Sequence, residues 1–99
     1  MTPRAKLEAD WFALTRERMP EVAAVRGWPV RLDHCFQRIL LDNACDRPWR
    51  EVIAAPAYRN APEDVLRDAI ALGIAALEGD ADLAELNRHS LELRGKLRS

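Results

Sequence analysis

The chain has 99 residues, of which 48% are apolar and 31% charged, and its fifteen basic and sixteen acidic residues give a net charge of −1. This length fits one compact domain and leaves no room for two. A disordered chain would have less apolar content and a larger net charge, and a polyanion-binding domain is usually strongly basic. We therefore predict a single domain over 1–99, with flexible ends at 1–4 and 97–99.

No feature of the sequence predicts a membrane or a secretory route. The longest apolar stretch, 69–77, is far shorter than the roughly 20 residues that a helix needs to cross a bilayer. Glu8 and Asp10 stand where a secretory signal would carry its apolar core. Cys35 and Cys45 are too few for a disulfide framework and form no CxxC pair. We expect a cytoplasmic protein with reduced thiols and no membrane partner.

Helical periodicity dominates the first quarter of the chain, because Val, Ile and Thr are few and scattered. The first predicted helix runs from about Ala5 to Met19. We expect Pro20 to end it, since proline cannot continue the interior of a helix. A shorter helical piece is predicted over 21–26, before the sequence Gly-Trp-Pro at 27–29 breaks the path.

The next predicted helix runs from 30 to about 45, where apolar residues recur at steps of three and four and indicate one buried face. The sequence Asp-Arg-Pro at 46–48 should stop this helix. Residues 49–54 are predicted to form either one more short helix or an irregular packed segment. Residues 55–61 are typical of a connecting loop.

Two further helices are predicted near the end of the chain, over 62–78 and about 81–97. Pro62 and the acids after it suit a helix start, and Gly79 suits a helix end. Asp80 or Asp82 is expected to cap the last helix. Because the turn between these helices is very short, we expect them to pack antiparallel. The predicted fold is an all-α, single-domain bundle of four to five helices with a C-terminal antiparallel hairpin.

Several side chains that could take part in catalysis lie on the helix predicted at 30–45. His34, Arg38 and Asp42 are four residues apart and would line one face, with Asp42 pairing with Arg38. Cys35 points about 100° away from His34, so a thiolate–imidazole pair would need His89 of the last helix. Cys35 also falls in the apolar period, which favours a structural thiol. We assign no catalytic residue.

No cofactor or metal ion is predicted. The sequence contains no C-x₂₋₄-C pair, no H-x₃-H pair and no HExxH motif. It also lacks a P-loop, a GxGxxG and a GxSxG, and its four glycines stand far apart. A glycine-rich phosphate cradle is therefore disfavoured.

Arginine and aromatic residues are interleaved in the middle of the chain, and this combination is typical of binding surfaces. A structural alternative is that the aromatic rings close the ends of a small core, with arginine stems over their faces. The candidate binding residues, including the histidine of the last helix, are Trp28, Arg31, His34, Arg38, Trp49, Arg50, Tyr58 and His89.

The last predicted helix has polar groups in its leucine stripe. Asn87 and Ser90 interrupt the stripe, and a buried amide needs a partner. That partner would be the irregular segment 46–61 or the same residue across a dimer axis. The charge is also uneven, since 26–59 holds six basic and four acidic residues while 60–99 holds five and eight.

From these patterns we expect an interaction or regulatory module that binds another protein, or a second copy of itself, through an Arg/aromatic surface around 28–59. One alternative is nucleic-acid binding through the arginine-rich middle, with an affinity that falls steeply with salt. The other is a small enzyme or ligand site built from His34, Arg38, Cys35 and His89. That alternative requires these side chains to converge around one pocket.

Overall fold

The computed structural model of the chain describes residues 2–95, and these form a bundle of helices without a strand. In chain order the helices are α1 (Pro3–Phe12), a π-helical segment (Ala13–Arg18), α2 (Met19–Arg26), α3 (Asp33–Cys45), a 3₁₀ turn (Trp49–Glu51), α4 (Ala57–Asn60), α5 (Glu63–Glu78) and α6 (Leu83–Leu93). The predicted all-α bundle is confirmed. None of the helices over 2–95 is long and apolar enough to cross a membrane.

The first helical stretch runs without a break over 3–26, through α1, the π-helical segment and α2. The prediction that Pro20 ends it was therefore wrong. The segment before α2 is π-helical, so that the amide of Met19 donates to the carbonyl of Leu14, five residues back. Pro20 then lies in the first turn of α2, where a helix needs no backbone N–H. Proline would end a helix with α geometry on both sides, but the turn before Pro20 is the wider π turn.

The ends of the later helices follow the predicted stop and start signals. Asp46 takes a left-handed conformation with φ 56° just after α3, and Gly79 does the same with φ 84° after α5. Oδ1 of Asp82 accepts a hydrogen bond from the amide of Ala84 at 2.9 Å, so Asp82 rather than Asp80 caps α6. Helix α6 ends at Leu93, earlier than predicted. The flexible end predicted at 97–99 lies outside the described residues.

Helix α3 is the centre of the bundle, with α5 on one side and α6 on the other. Its buried apolar face meets α5 where Gly73 allows a close approach. A Cβ atom built at Gly73 would lie 2.5 Å from Cδ2 of Leu14 and 3.0 Å from Cδ1 of Leu40. The largest apolar side chains that are fully buried are Trp11, Met19, Phe36, Ile39, Leu40, Leu41, Leu66 and Leu83.

Helix α6 packs mainly against α3 and makes only slight contact with α5. The predicted antiparallel hairpin of the last two helices is therefore not confirmed. A short turn makes α5 and α6 neighbours in sequence, but the side chains on the inward face of α6 decide which helix it packs against. Leu83 enters the core, and the polar groups of Asn87 and Ser90 meet α3.

Candidate functional site

A pocket of about 470 Å³ opens between the first helical stretch, α3 and the segment that joins α3 to α5. Small-molecule sites usually have volumes of about 300–1,000 Å³. Cationic and aromatic side chains dominate its wall, namely Arg16, Arg38, Arg50, Arg94, His34, Trp11, Phe12, Trp49 and Tyr58. Within residues 2–95, no Asp or Glu contributes to that wall. The pocket therefore combines positive charge with flat apolar surface.

Arg38 lies in this wall with its guanidinium held by two neutral groups. Its Nη1 donates to Oγ of Ser90 at 2.8 Å, and its Nη2 donates to Oδ1 of Asn87 at 2.8 Å. No other residue of the described chain accepts a hydrogen bond from Arg38. The predicted pair between Asp42 and Arg38 is therefore wrong. Arg38 is oriented by α6, and no carboxylate among residues 2–95 pairs with its charge.

The carboxylate of Asp42 is fully buried and has a different cationic partner. Nε and Nη2 of Arg94 donate to it at 2.5 and 3.0 Å. Ser90 Oγ adds a hydrogen bond of 2.7 Å and the Trp49 amide one of 2.9 Å. The hydrogen bond from Arg94 to Asp42 raises the pKa of Arg94 above its ordinary value. A buried carboxylate needs several donors, and only the tertiary arrangement could show that Arg94 supplies two of them.

The two other arginines of the wall lie on aromatic rings. The guanidinium carbon of Arg16 is 3.9 Å from the centre of the Phe12 ring, and Nε of Arg16 is 3.7 Å from Oδ2 of Asp33. Arg50 is exposed, and its guanidinium carbon lies 5.2 Å from the centre of the Trp49 ring. Cations over aromatic faces are held there by the ring quadrupole. Both side chains thus combine charge with apolar contact area.

The π-helical segment contributes to the shape of this pocket. Its Thr15 hydroxyl donates to the carbonyl of Trp11 at 2.9 Å and accepts from Nε2 of Gln37 at 3.1 Å. These hydrogen bonds connect α3 to the π-helical segment, which carries Arg16 and directly follows Phe12. Single π turns inside α-helices occur often at functional sites.

Five of the eight candidate binding residues line the pocket: His34, Arg38, Trp49, Arg50 and Tyr58. The other three lie elsewhere. Trp28 packs edge-on against Phe36 with ring centres 5.9 Å apart, as the structural alternative predicted. Arg31 is exposed and outside the pocket. His89 contacts Asp46, with Nε2 and Oδ1 3.0 Å apart.

The histidines and Cys35 do not form one cluster. His34 lies beside Asp33 at the start of α3, and its side chain is 73% exposed. His89 contacts Asp46, which follows the last residue of α3, whereas Cys35 lies in the first turn of that helix. Along α3, eleven residues separate Cys35 from Asp46, which is about 16 Å at the rise of an α-helix. The site that the enzyme alternative requires is therefore not assembled.

A metal centre has no support in the described part of the chain. Across 2–95, no three His, Cys, Asp or Glu side chains are grouped so that they could hold an ion. The thiol of Cys45 is half-buried, and burial followed by the charge of Asp42 raises its pKa. A raised pKa leaves less thiolate for metal binding or nucleophilic attack.

Four arginine or aromatic residues of the pocket wall were not among the candidates from the sequence: Trp11, Phe12, Arg16 and Arg94. Phe12 and Arg16 are four residues apart on a predicted helix, and this spacing was a usable signal. The sequence marks Asn87 and Ser90 as polar groups that need partners, but it predicts those partners in the segment 46–61 or across a dimer axis. The contact of α6 with α3 was needed to assign them.

Comparison of the chain with protein-family models, curated proteins and solved structures gave no match. The chemistry of the pocket is therefore the basis on which a function can be argued. Its features are an oriented guanidinium, further arginines and a set of aromatic rings.

Proposed function

We propose that this protein is a binding module that captures a small organic anion in the pocket between the first helical stretch and α3. The observation that carries the proposal is the state of Arg38. Its guanidinium is held by Ser90 and Asn87, both neutral, and faces a wall in which no described residue is acidic. An oriented guanidinium forms strong charge-assisted hydrogen bonds with carboxylate or phosphate groups.

The aromatic residues of the wall favour a ligand with a planar apolar part. Tyr58 and Phe12 meet edge to face, with ring centres 4.8 Å apart, and Trp49 is tied in place through its amide by Asp42. Both contacts restrict the rings before a ligand arrives. Restricting a site in advance lowers the entropy cost of binding.

This proposal sharpens the role expected from the sequence. An interaction or regulatory module remains the general expectation, and a concave site of this volume favours a small molecule over the flat surface of a partner protein. Nucleic-acid binding has less support, because a strand needs a groove of phosphate contacts and these arginines converge on one pocket. Cytoplasmic location and self-association stay predictions from the sequence.

The test is a titration with organic anions, benzoate and phenyl phosphate, followed by chemical shifts or calorimetry. Arg38→Gln should weaken binding at least about tenfold, since hydrogen bonds to charged groups contribute about 1.5–3 kcal/mol. Arg31→Gln is the matched control, because Arg31 is an exposed arginine outside the pocket, and it should bind as the parent does.

Two results would contradict the proposal. One is the absence of binding by either anion up to about 10 mM, beyond the weakest affinity expected of a specific site. The other is equal binding by the parent and the Arg38→Gln variant. If a single-stranded oligonucleotide binds with steep salt dependence while both small anions fail, the nucleic-acid alternative replaces it.

A further inference from the structure

The arginines of the pocket wall carry more positive charge than the carboxylates bound to them neutralise. Asp42 is buried and bound by two N–H groups of Arg94, so these two residues form a neutral pair. Arg16 has Asp33 as a partner at 3.7 Å. Arg38 and Arg50 form no ion pair within residues 2–95, so the wall retains two positive charges.

Two of the guanidiniums are joined through shared hydrogen-bond partners. Arg38 donates to Ser90, Ser90 donates to Asp42, and Asp42 accepts from Arg94. The three steps measure 2.8, 2.7 and 2.5 Å between heavy atoms. This chain of contacts places Arg38 and Arg94 on the same side of the pocket, and both line it.

These two side chains keep more donors than a carboxylate can use. A guanidinium has five N–H donors, and Arg38 and Arg94 each use two of them on partners in the described chain. Three N–H groups remain on each. A carboxylate offers two oxygens, whereas a phosphate monoester offers three strong acceptor oxygens and carries close to two negative charges.

We infer that the organic anion of the proposed function is a phosphate monoester of a planar compound. This inference rests on the proposed function and adds the class of the ligand. The phosphate group would lie against Arg38 and Arg94, and the planar part against Trp49 and Tyr58. Arg50, over the face of Trp49, would supply the second compensating charge.

The test compares three probes at about pH 8, where a phosphate monoester is a dianion. Phenyl phosphate and benzoate share the ring and differ in the anion, while inorganic phosphate lacks the ring. We expect phenyl phosphate to bind about tenfold more tightly than benzoate, because its third acceptor oxygen and second negative charge allow more charge-assisted hydrogen bonds to the arginines. Inorganic phosphate should bind more weakly than phenyl phosphate.

Two variants separate the contributions. Arg50→Gln should reduce the preference for phenyl phosphate over benzoate, since it removes one of the two uncompensated charges. Arg38→Gln should weaken both ligands. Arg31→Gln should leave both affinities and their ratio unchanged. Melting curves for all three variants check that each remains folded.

The outcomes distinguish this inference from the proposed function. If benzoate binds as tightly as phenyl phosphate or more tightly, the phosphate assignment is overturned and the organic-anion function stands. If inorganic phosphate binds as tightly as phenyl phosphate, the assignment of a planar part to the ligand is overturned. If neither benzoate nor phenyl phosphate binds, the proposed function fails and this inference fails with it.

Discussion

The two faces of α3 are attached to their neighbours by different chemistry. Toward α5 the contact is apolar and close, and Gly73 leaves room for Leu40 of α3 and for Leu14 of the neighbouring π-helical segment. Toward α6 the contact includes a set of hydrogen bonds that converge on the buried carboxylate of Asp42 and on Arg38. Apolar contact is non-directional and contributes stability, whereas hydrogen bonds fix particular atoms in particular places.

This difference explains why the pocket lies where it does. A purely apolar contact with α6 would hold the helix but would leave Arg38 without the acceptors that orient it. The residues that dock α6 are also the residues that build the pocket wall, Arg38 and Arg94. Docking of α6 and binding of a ligand are therefore expected to depend on each other.

The largest expected effect comes from breaking the polar face with Asp42→Asn. The change leaves Arg94 without its carboxylate, and the new NH₂ group takes the place of one oxygen, so it faces either the Ser90 hydroxyl or the Trp49 amide, both of which are donors. Removing one partner of a buried pair costs about 3 kcal/mol, so the free energy of unfolding in urea should fall by that amount.

Asp10→Asn is the matched control for that change, because Asp10 pairs with Lys6 on the surface with its side chain 50% exposed. It should change stability by less than about 0.5 kcal/mol. Equal losses of stability in Asp42→Asn and Asp10→Asn would show that the buried hydrogen bonds of Asp42 contribute no more than a surface ion pair.

The next largest effect is expected from Gly73→Ala, which disturbs the apolar contact of α5 with its neighbours. The added Cβ would overlap Leu14, and overpacking of a core costs about 1–3 kcal/mol, partly offset by about 1 kcal/mol of gained helix propensity. We expect a net loss of up to about 2 kcal/mol in the free energy of unfolding. In a double-mutant cycle, Leu14→Ala should suppress the loss; strictly additive effects would contradict the close approach.

A smaller change, Ser90→Ala, tests whether the polar face orients the site. It removes the hydroxyl between Arg38 and Asp42, which should cost about 1 kcal/mol of stability and weaken the binding of phenyl phosphate. Asn43→Ala is the control, since Nδ2 of Asn43 donates to the carbonyl of Leu86 on α6 without contacting Arg38. It should cost a similar stability and leave the affinity unchanged, and equal loss of affinity in both variants would refute the orienting role.

The smallest expected effect is on the thiol of Cys45, which reports the charge of Asp42. Burial, with the added effect of Asp42, raises the pKa of Cys45, so less thiolate is present at a given pH. Alkylation of Cys45 by iodoacetamide should therefore need a higher pH in the folded protein than in urea, as measured by peptide mass spectrometry. The Asp42→Asn variant should react at lower pH than the parent, and an unchanged profile would remove Asp42 as a cause.

Local signals predicted much of the helical structure. The apolar period of α3, its end before the Asp-Arg-Pro at 46–48, the start of α5 and the cap at Asp82, one of the two predicted, all follow from neighbours within a few residues. The course through Pro20 was missed because a π turn depends on what the helix packs against. The packing of α6 was missed because a short turn does not determine which face finds a partner.

The sequence by itself determined an all-helical chain and marked its arginine and aromatic residues as the place to look. It could not determine which of them meet, because pairing across the bundle depends on distances between residues about fifty positions apart. In the tertiary structure Arg94 pairs with Asp42, whereas Arg38 donates to neutral side chains. The physical reason is that a buried carboxylate takes the donors that reach it in three dimensions, and helical spacing along one face does not reveal them.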